Sequence, residues 1–519
     1  MRIEPPALDG LDPTRLAGIR RGVEKESLRA TPQGALAATP HPAALGSALT
    51  HPHITTDYSE AQLELITGVH ASPQACVEEL QRIHQFTARA LGEEMLWVSS
   101  MPCALPAEDQ IPIGRYGSSN VGQAKSVYRM GLAHRYGRRM QTISGIHYNW
   151  SMPGVGSEGY FALIRNFRRH AFLLLYLFGA SPALNACFVE GRRHELHTLS
   201  DGTLYLPHAT SLRMGRLGYQ SEAQATLAVS YNGLEGYAAS LHEALTKPWP
   251  AYEAVGVHDG KGGYHQLATT LLQIENEFYG TIRPKRTIFP GERPLHALRE
   301  RGVEYVEVRL LDLDPFQPLG IDAQAMRFID TFLLHCLLAD SPPDTPQEIA
   351  QLARNQHRTA AFGRDPALML ERGDGEVRLV DWGHALLDQL EPIARRLDAM
   401  PGAPAQAHAR ALAEARARLD APQGLPSARV LDAMAREHGQ SFMAFGRSQS
   451  RRTHQWLLAQ PWDAAQQAHF AALSEQSVQA QQRIEAGDTL PFEIYRQQYI
   501  APERLGLSRG AIAPALAAP

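Results

Sequence analysis

The stretch Gly-Val-Glu-Lys-Glu-Ser-Leu-Arg, residues 22–29, places two glutamates two positions apart near the start of the chain. If the stretch is extended, Glu24, Glu26 and Leu28 share one face, and the residues between them point to the other face. Two carboxylates side by side are unfavourable unless water or a cation compensates their charge. Alone, the pair is also compatible with a solvated surface strand, or with a helix that separates the two side chains. The rest of the chain must decide.

The composition is that of a globular protein with one large or two to three ordinary domains. The 519 residues include 50 Lys and Arg against 54 Asp and Glu, so there is no basic surplus for nucleic acid. The four cysteines form no Cys-x-x-Cys pair, which disfavours structural zinc and fits a reducing compartment. The N-terminus lacks a signal-like run, and the most apolar segment, Ala171–Phe178, is far shorter than the roughly 20 residues that span a bilayer. We expect a cytoplasmic protein with no nucleic-acid or membrane partner.

The acidic pattern of residues 22–29 recurs on other candidate strands, whose opposite faces are largely apolar; residues 22–29, with Lys25 and Ser27, are the exception. The polar positions are Glu24 and Glu26, Glu64 in Ala61–Thr67, His147 and Asn149 in Gln141–Met152, Glu307 and Arg309 in Val303–Asp312, and Glu275 and Glu277 if Leu271–Tyr279 is a fifth strand. If these strands share one sheet, helices cover its apolar face and carboxylates line the other. Such a wall persists only with bound cations or strong pKa shifts. Alternatively, the pairs lie on separate solvated edges.

The ligand types in this pattern indicate a particular chemistry. Oxygen ligands with one imidazole suit Mg²⁺ or Mn²⁺. Mg²⁺ usually binds a few carboxylates together with substrate phosphates, which points to nucleotide chemistry. The sequence contains neither a P-loop nor a Gly-x-Gly-x-x-Gly turn after a strand. The basic cluster Arg283-Pro-Lys-Arg286 could hold phosphates, or it could be a surface turn.

Helical periodicity dominates the second part of the chain. The predicted helices are Asp12–Arg20, Pro73–Leu91, most of Ser119–Met140, Tyr160–Phe178, part of Ser221–Thr246, Gln324–Leu338 and most of Ser341–Gln497, in which Ala405–Leu419 is expected to be a solvated helix. The strands lie mainly before Pro315. The pattern therefore predicts a strand-rich region, which we place at residues 1–340, and a helical C-terminal region at residues 341–519, packed on the same domain.

Ten segments, in order along the chain, resemble the proteobacterial type of glutamate–cysteine ligase. They are Arg21–Arg29, Gly46–Thr50, Thr55–Tyr58, Leu63–Thr67, Ser100–Cys103, Met140–Asn149, Leu177–Ala183, Ala209–Arg213, Leu272–Glu277 and Glu304–Arg309. The resemblance is specific from about Arg21 to Asp340 and loose beyond. It implies an α+β fold like glutamine synthetase, with a curved, mostly antiparallel sheet backed by helices and a helical C-terminal region.

The resemblance also implies a reaction. ATP phosphorylates the side-chain carboxylate of L-glutamate, and the amine of L-cysteine attacks the acyl phosphate, which gives γ-glutamylcysteine, ADP and phosphate in the first step of glutathione synthesis. The implied cofactors are ATP and Mg²⁺, with Mn²⁺ as a substitute, and the implied partners are the two amino acids. We expect a monomer.

Carried over by position, the resemblance also implies roles for individual residues. The metal ligands are Glu24, Glu26, Asp57, Glu64, His147 and Glu307. Arg309 stabilises the phosphoryl group in transfer, and Arg283 and Lys285 hold ATP with it. Substrate binding falls to Tyr58, Tyr128, Arg129, Gln141, Asn149, Arg213 and Tyr219, of which the three tyrosines line the cysteine pocket.

Several alternatives stay open at this stage. Tyr128 could be a core residue and Arg129 a surface helix cation. Glu275 and Glu277 could touch metal or support Arg283 and Lys285. The protein could instead be a ligase of the same fold with another amine, a phosphotransferase like the guanidino kinases, or a nucleotide-binding regulatory protein.

Overall fold

One antiparallel sheet organises the part of the chain before residue 312. It is seen in a computed structural model that describes residues 11–218, 222–225, 227 and 229–506. The strands of the protein are β1 (Arg20–Ala30), β2 (Ile54–Thr56), β3 (Gln62–Ile66), β4 (Met95–Leu96), β5 (Ile146–Ser151), β6 (Ala183–Asn185), β7 (His197–Thr198), β8 (Thr203–Tyr205), β9 (Ile282–Lys285), β10 (Tyr305–Leu311), β11 (Met369–Arg372) and β12 (Gly375–Arg378). The main sheet has seven strands in the order β2-β3-β1-β5-β10-β9, with β4 paired to β1.

Helices surround this sheet and form most of the C-terminal region. They are α1 (Pro13–Ala17), α2 (Pro73–Ala90), α3 (Asn120–Tyr136), α4 (Ser157–Phe178), α5 (Glu222–Ala225), α6 (Leu234–Thr246), α7 (Pro250–Val255), α8 (Pro294–Arg301), α9 (Ala323–Leu338), α10 (Pro346–Phe362), α11 (Leu379–Asp398), α12 (Ala407–Asp420), α13 (Pro426–Glu437), α14 (Phe442–Ala459), α15 (Ala464–Gly487) and α16 (Phe492–Ile500). The mixed α+β architecture with an antiparallel sheet confirms the predicted fold class.

Strand register places the predicted polar positions on one face. Glu26 lies opposite Glu64, and Glu24 opposite His147. Glu307 of β10 pairs with Asn149 of β5. Since side chains alternate along a strand, antiparallel pairing in this register gathers all these groups on the same side. The prediction of a shared polar face is therefore confirmed.

The other face of the sheet is the hydrophobic core. Val23, Tyr148, Trp150, Val306 and Val308 are all fully buried there. The helices α4 and α9 pack against each other, α4 packs against β9 and β10, and α2 packs against β1 and β3. Because the hydrophobic core is formed on this face, the charged side chains lie on the opposite face of the sheet.

Lys25, the predicted exception on the apolar face, is nevertheless buried. Its Nζ atom lies 3.0 Å from Nε2 of His84 on α2. Burial lowers the pKa of Lys25 to about 7. The lysine is therefore accommodated by a neutral imidazole acceptor rather than by solvent.

The C-terminal helices share the core of the sheet. The helices α11 and α12 pack on α9, and α12 also contacts α4. The prediction of a solvated helix at residues 405–419 is wrong, because α12 buries Ala411, Leu412, Ala415 and Leu419. The two-stranded hairpin of β11 and β12 was not predicted. The domain boundary at residue 340 stays a prediction.

Two local expectations near the site differ from the structure. Leu271–Tyr279 contains no strand; Glu275–Glu277 is a single 3₁₀ turn. Its glutamates form buried ion pairs with Arg293, at 2.6 Å, and with Arg135, at 2.9 Å, so they support neither Arg283 nor Lys285. The alternative of a surface basic turn at residues 283–286 is also wrong, because Ile282–Lys285 is a paired strand.

Two further predictions concern cysteines and membranes. All four cysteines are free thiols. Within the described ranges, every helix is too short or too polar to cross a bilayer. Tyr219 and the Ala/Pro-rich stretch 511–519 lie outside the described residues.

Candidate active site

A cavity of about 1690 Å³ opens on the polar face of the sheet. The predicted site residues that line it are Glu24, Glu26, Asp57, Tyr58, Glu64, Tyr128, Arg129, Gln141, His147, Arg213, Arg283, Lys285, Glu307 and Arg309. Asn149 lies just behind this lining, where its amide donates to Glu24 Oε1 at 2.9 Å. With Thr55 and Thr56 of β2, the cavity collects residues from six strands and from α3.

Two groups of acids share the imidazole of His147. Glu24, His147 and Glu307 form one group, and Glu26, Glu64 and His147 form the other, each with ligand atoms within 4.8 Å of one another. His147 Nδ1 lies 3.0 Å from Glu24 Oε2, and its Nε2 lies 3.6 Å from Glu26 Oε1. We call these residues the acid–imidazole cluster.

The ionisation of the acid–imidazole cluster is uneven. Burial, with the nearby charge of Asp57, raises the pKa of Glu26 to about 8. Burial and the charge of Glu24 raise the pKa of Glu64 well above its ordinary value. On the opposite side, burial acts against the charge of Glu307, but Lys285 and Arg309 hold its pKa well below the usual range. The pair Glu26 and Glu64 therefore favours protons or added cations, while Glu307 on β10 is already neutralised.

Glu307 is the anchor of the cationic side. Lys285 Nζ lies 3.1 Å from its Oε1, and Arg309 Nη1 donates to its Oε2 at 2.8 Å. Arg283 lies 4.0 Å from the same carboxylate, and it also donates to the carbonyl oxygens of Asn276, at 2.9 Å, and Phe278. These contacts hold three cations together at one edge of the cavity.

Arg213 reaches the cavity through a gap left by a glycine. Its Nη2 donates to the carbonyl of Arg309 at 2.8 Å, and its Nη1 lies 3.7 Å from Asp312. A Cβ atom at Gly145 would lie 2.0 Å from Arg213 Nη2. The Gly145 amide also donates to Glu26 Oε2 at 2.6 Å. Residue 145 therefore has to lack a side chain for the Arg213 guanidinium to occupy its place beside the cavity.

The helix α3 forms one wall of the cavity. Arg129 donates to the carbonyl of Asp57 and lies with its guanidinium 4.5 Å from the centre of the Tyr116 ring. Tyr128 is half-buried and lines the cavity. The alternative that Tyr128 is a core residue is therefore wrong. The alternative that Arg129 is a surface helix cation is also wrong, because its guanidinium is bound to the Asp57 carbonyl. The hydroxyl of Tyr58 is buried and has no hydrogen-bond partner in the described part of the chain.

Gln141 lies in the 3₁₀ turn Met140–Thr142, which follows α3 in the chain. Its Nε2 donates to the Tyr279 hydroxyl at 2.8 Å. This hydrogen bond holds the amide at the cavity wall, which is compatible with a role in orienting a substrate.

A segment that the sequence patterns missed closes another side of the cavity. Residues 484–504, which we call the C-terminal strap, line it from Ile484 to Arg504. The Asp488 carboxylate accepts from the Asn120 amide at the start of α3, and Asn120 Nδ2 donates to the Leu490 carbonyl at 3.0 Å. Local sequence patterns do not predict such contacts, because the partners lie about 370 positions apart in the chain.

Comparisons with known proteins agree with this architecture. A model of the glutamate–cysteine ligase family matches residues 10–359. A glutamate–cysteine ligase of Alcanivorax borkumensis is 47% identical over 508 residues, which cover 93% of this chain and 96% of the relative. A glutamate–cysteine ligase of Bordetella parapertussis is 49% identical over 498 residues, which cover 93% of this chain and 94% of the relative.

Solved structures show the same likeness. The crystal structure of the glutamate–cysteine ligase of Francisella tularensis in complex with AMP matches with a TM-score of 0.88 and 36% identity, over 94% of this chain and 98% of that one. A bifunctional glutathione synthetase from Pasteurella multocida matches with a TM-score of 0.72 and 25% identity, over 91% of this chain and 58% of that longer one.

The fold and these relatives define an enzyme of the carbon–nitrogen ligase class. Within that class, the chain belongs to the glutamate–cysteine ligase family.

Proposed function

We propose that this protein joins L-cysteine to the γ-carboxylate of L-glutamate at the expense of ATP, giving γ-glutamylcysteine, ADP and phosphate. The observation that carries the proposal is the acid–imidazole cluster, flanked by Arg309 and Lys285 in a single cavity. A carboxylate, a triphosphate and a phosphoryl group in transfer are all negative, so their meeting place needs cations on all sides.

The acid–imidazole cluster fits Mg²⁺ or Mn²⁺. Its donors are carboxylate oxygens and one imidazole, the set that these hard cations accept. Burial and Arg309 lower the pKa of His147, which favours the neutral form that can ligate. The ligands would be Glu24, Glu26, Glu64, His147 and Glu307, with Asp57 beside them. The bound cations would neutralise phosphate charge and polarise the phosphoryl oxygens.

The cationic side is suited to the phosphates. Arg309 and Lys285 share the Glu307 carboxylate, which fixes both heads at one edge of the cavity. Arg283, buried behind them, adds charge without exposing it to water. Arg309 would stabilise the phosphoryl group while its bond passes from ADP to the glutamate oxygen.

The two amino acids would occupy the remaining walls. Gln141 and Asn149 would orient glutamate, and Arg213 would hold a carboxylate in its planar fork. Tyr58 and Tyr128, with Tyr219 outside the described residues, would line the cysteine pocket, where aromatic faces suit a polarizable thiol.

Two bond exchanges complete the proposed reaction. A γ-carboxylate oxygen of glutamate attacks the γ-phosphorus of ATP, and the bond to ADP breaks. The cysteine amine then attacks the acyl carbon, the carbon–oxygen bond to phosphate breaks, and the departing phosphate takes the proton of the amine. Arg129 and Arg213 would keep the second substrate in place between these steps.

The test is ADP release by the purified protein with ATP, Mg²⁺ and L-glutamate, with or without L-cysteine. We expect strong release that depends on cysteine, with γ-glutamylcysteine as product. Turnover only with another amine would keep the ligase class and change the substrate. Phosphate retained on a stable product would instead indicate a phosphotransferase, and no turnover with any amine would leave the regulatory alternative.

A further inference from the structure

Lys125 on α3 is exceptional among the cations that line the cavity. Within the described residues, every other lining Lys or Arg has an ion-pair or hydrogen-bond partner; they are Arg129, Arg168, Arg213, Arg283, Lys285, Arg293, Arg309 and Arg504. Lys125 makes no such contact there, and its ammonium lies only over the Tyr116 ring, 5.0 Å from the ring centre. A half-buried ammonium without a partner is costly unless a ligand completes it.

A second cation lies beside Lys125. Arg129 follows one helical turn later and is placed over the same Tyr116 ring, at 4.5 Å. Like charges at this spacing destabilise a helix. Arg129 directs its donors to backbone carbonyls, among them that of Lys125 at 3.0 Å, so no carboxylate neutralises the pair at contact distance in the part of the chain that the structure describes. Two cations on one ring form a ready receptor for an anion.

The charge environment agrees with this geometry. Burial and the charge of Arg129 lower the pKa of Lys125 to about 8, and the more distant Glu64 only partly offsets them. The ammonium is thus desolvated without full compensation in the ligand-free protein.

We propose that Lys125 binds the α-carboxylate of the amine substrate, with Arg129 beside it. The inference rests on the proposed function, and it adds a substrate-binding residue to it. The nucleotide phosphates have their own cations, Lys285 and Arg309, held by Glu307 of β10. Lys125 instead adjoins the wall that carries Tyr128, so the anion it meets belongs to the amino acid that enters there.

The test compares Lys125→Met with wild type, using L-cysteine and cysteamine, which has the same amine and thiol but no carboxylate. Methionine keeps the length of the stem and removes the charge. The KM values for L-cysteine, L-glutamate and ATP are measured separately. Lys247→Met is the matched control, because the Lys247 side chain is exposed and its ammonium pairs with the exposed Glu243.

We expect Lys125→Met to raise the KM for L-cysteine at least tenfold, with the KM values for L-glutamate and ATP nearly unchanged. The preference for L-cysteine over cysteamine should collapse in this variant and persist in Lys125→Arg. Without substrates, the melting temperature should stay constant or rise, since a half-buried charge without an ion-pair partner is removed.

Three outcomes would overturn the proposal. In Lys125→Met, the preference for L-cysteine over cysteamine could survive. Alternatively, the KM for L-glutamate or the KM for ATP could rise in place of the KM for L-cysteine. The last two would place a different anion at Lys125. If the wild-type protein failed to use L-cysteine at all, the proposed function itself would be refuted. If the wild type turned over L-cysteine and the Lys125→Met variant still preferred L-cysteine to cysteamine, only the proposal for Lys125 would be refuted.

Discussion

The Nδ1 atom of His147 lies 3.0 Å from Oε2 of Glu24, its register partner on the adjacent strand. The second ring nitrogen faces Glu26 at 3.6 Å, so one imidazole meets carboxylates on both sides. A neutral imidazole has a single N–H and must turn a lone pair towards one of them. Burial and Arg309 favour the neutral ring, so the lone pair of one ring nitrogen faces a carboxylate. Arg309 Nη1 lies 3.4 Å from Nδ1, and a proton or a bound cation would further relieve this repulsion.

Replacing Glu26 by glutamine tests this need for a cation. We expect turnover to fall by about a thousandfold or more, because the variant replaces an anionic carboxylate ligand by a neutral amide that binds a cation more weakly. Its melting temperature should be unchanged or higher, since the buried carboxylate is costly in the free protein. ADP release and thermal unfolding measure the two effects.

Glu93→Gln is the control, because Glu93 is exposed and away from the cavity. Full turnover of the Glu26 variant would remove Glu26 from the metal site.

Arg309→Lys separates planar recognition from simple charge. Lysine keeps the charge but loses the guanidinium fork, of which one arm is bound to Glu307. We expect kcat to fall by about 10²–10³, with little change in the KM for ATP, if the arginine acts on the phosphoryl group in transfer.

Steady-state kinetics measures both values. The control is Arg416→Lys, the same exchange on the exposed side of α12, which should leave kcat and the KM for ATP unchanged. If the KM for ATP rose while kcat held, Arg309 would be a ground-state contact only.

Asp488→Asn should loosen the start of α3. The Asp488 carboxylate accepts from the Asn120 amide, and a negative charge at a helix N-terminus contributes about 0.3–1 kcal/mol. We expect faster hydrogen exchange at the first turn of α3, by about two- to fivefold, from that free energy. Mass spectrometry of peptides covering residues 118–124 measures it.

The matched control is Asp463→Asn, which removes the negative charge of the N-cap side chain of α15 and keeps an oxygen that can still cap the helix. Its effect should be confined to α15. Equal exchange at α3 in both variants would show that the C-terminal strap does not hold that helix.

Glu292 makes stability depend on pH. Burial alone would raise its pKa, but hydrogen bonds from Arg301 and the Phe289 amide lower it from 4.5 to about 2. A lowered folded-state pKa stabilises the protein above pH 4.5, and the effect is lost as the pH falls through 2. Glu292→Gln should therefore lower the free energy of unfolding by about 2 kcal/mol at pH 7 and by less at pH 3.5.

Urea unfolding at the two pH values measures this difference, with Glu300→Gln, an exposed change on α8, as reference. A Glu292 effect of the same size at both pH values would contradict the ionic explanation.

Much of the site could be predicted from local patterns. The alternation in residues 22–29 and in Val303–Asp312 identified which side chains share a face, because strand geometry repeats every two residues. The same reasoning failed at Leu271–Tyr279, where buried partners for Glu275 and Glu277 favour a turn over a strand. A role for Lys125 was not predicted either, because a lysine in a helical segment is typical of a solvated surface, and the sequence does not show which residues surround it.

The sequence by itself determined the elements that carry chemistry and, through its ordered segments, the family. Only the tertiary structure decided which of those elements meet. Glu24 and Glu307 are far apart in the chain, yet both lie at His147, and Asp488 closes on Asn120 from the other end of the protein. Ligand distances and pKa values depend on separation through space and on exclusion of water. Local sequence contains neither quantity, so the arrangement of the site had to come from the fold.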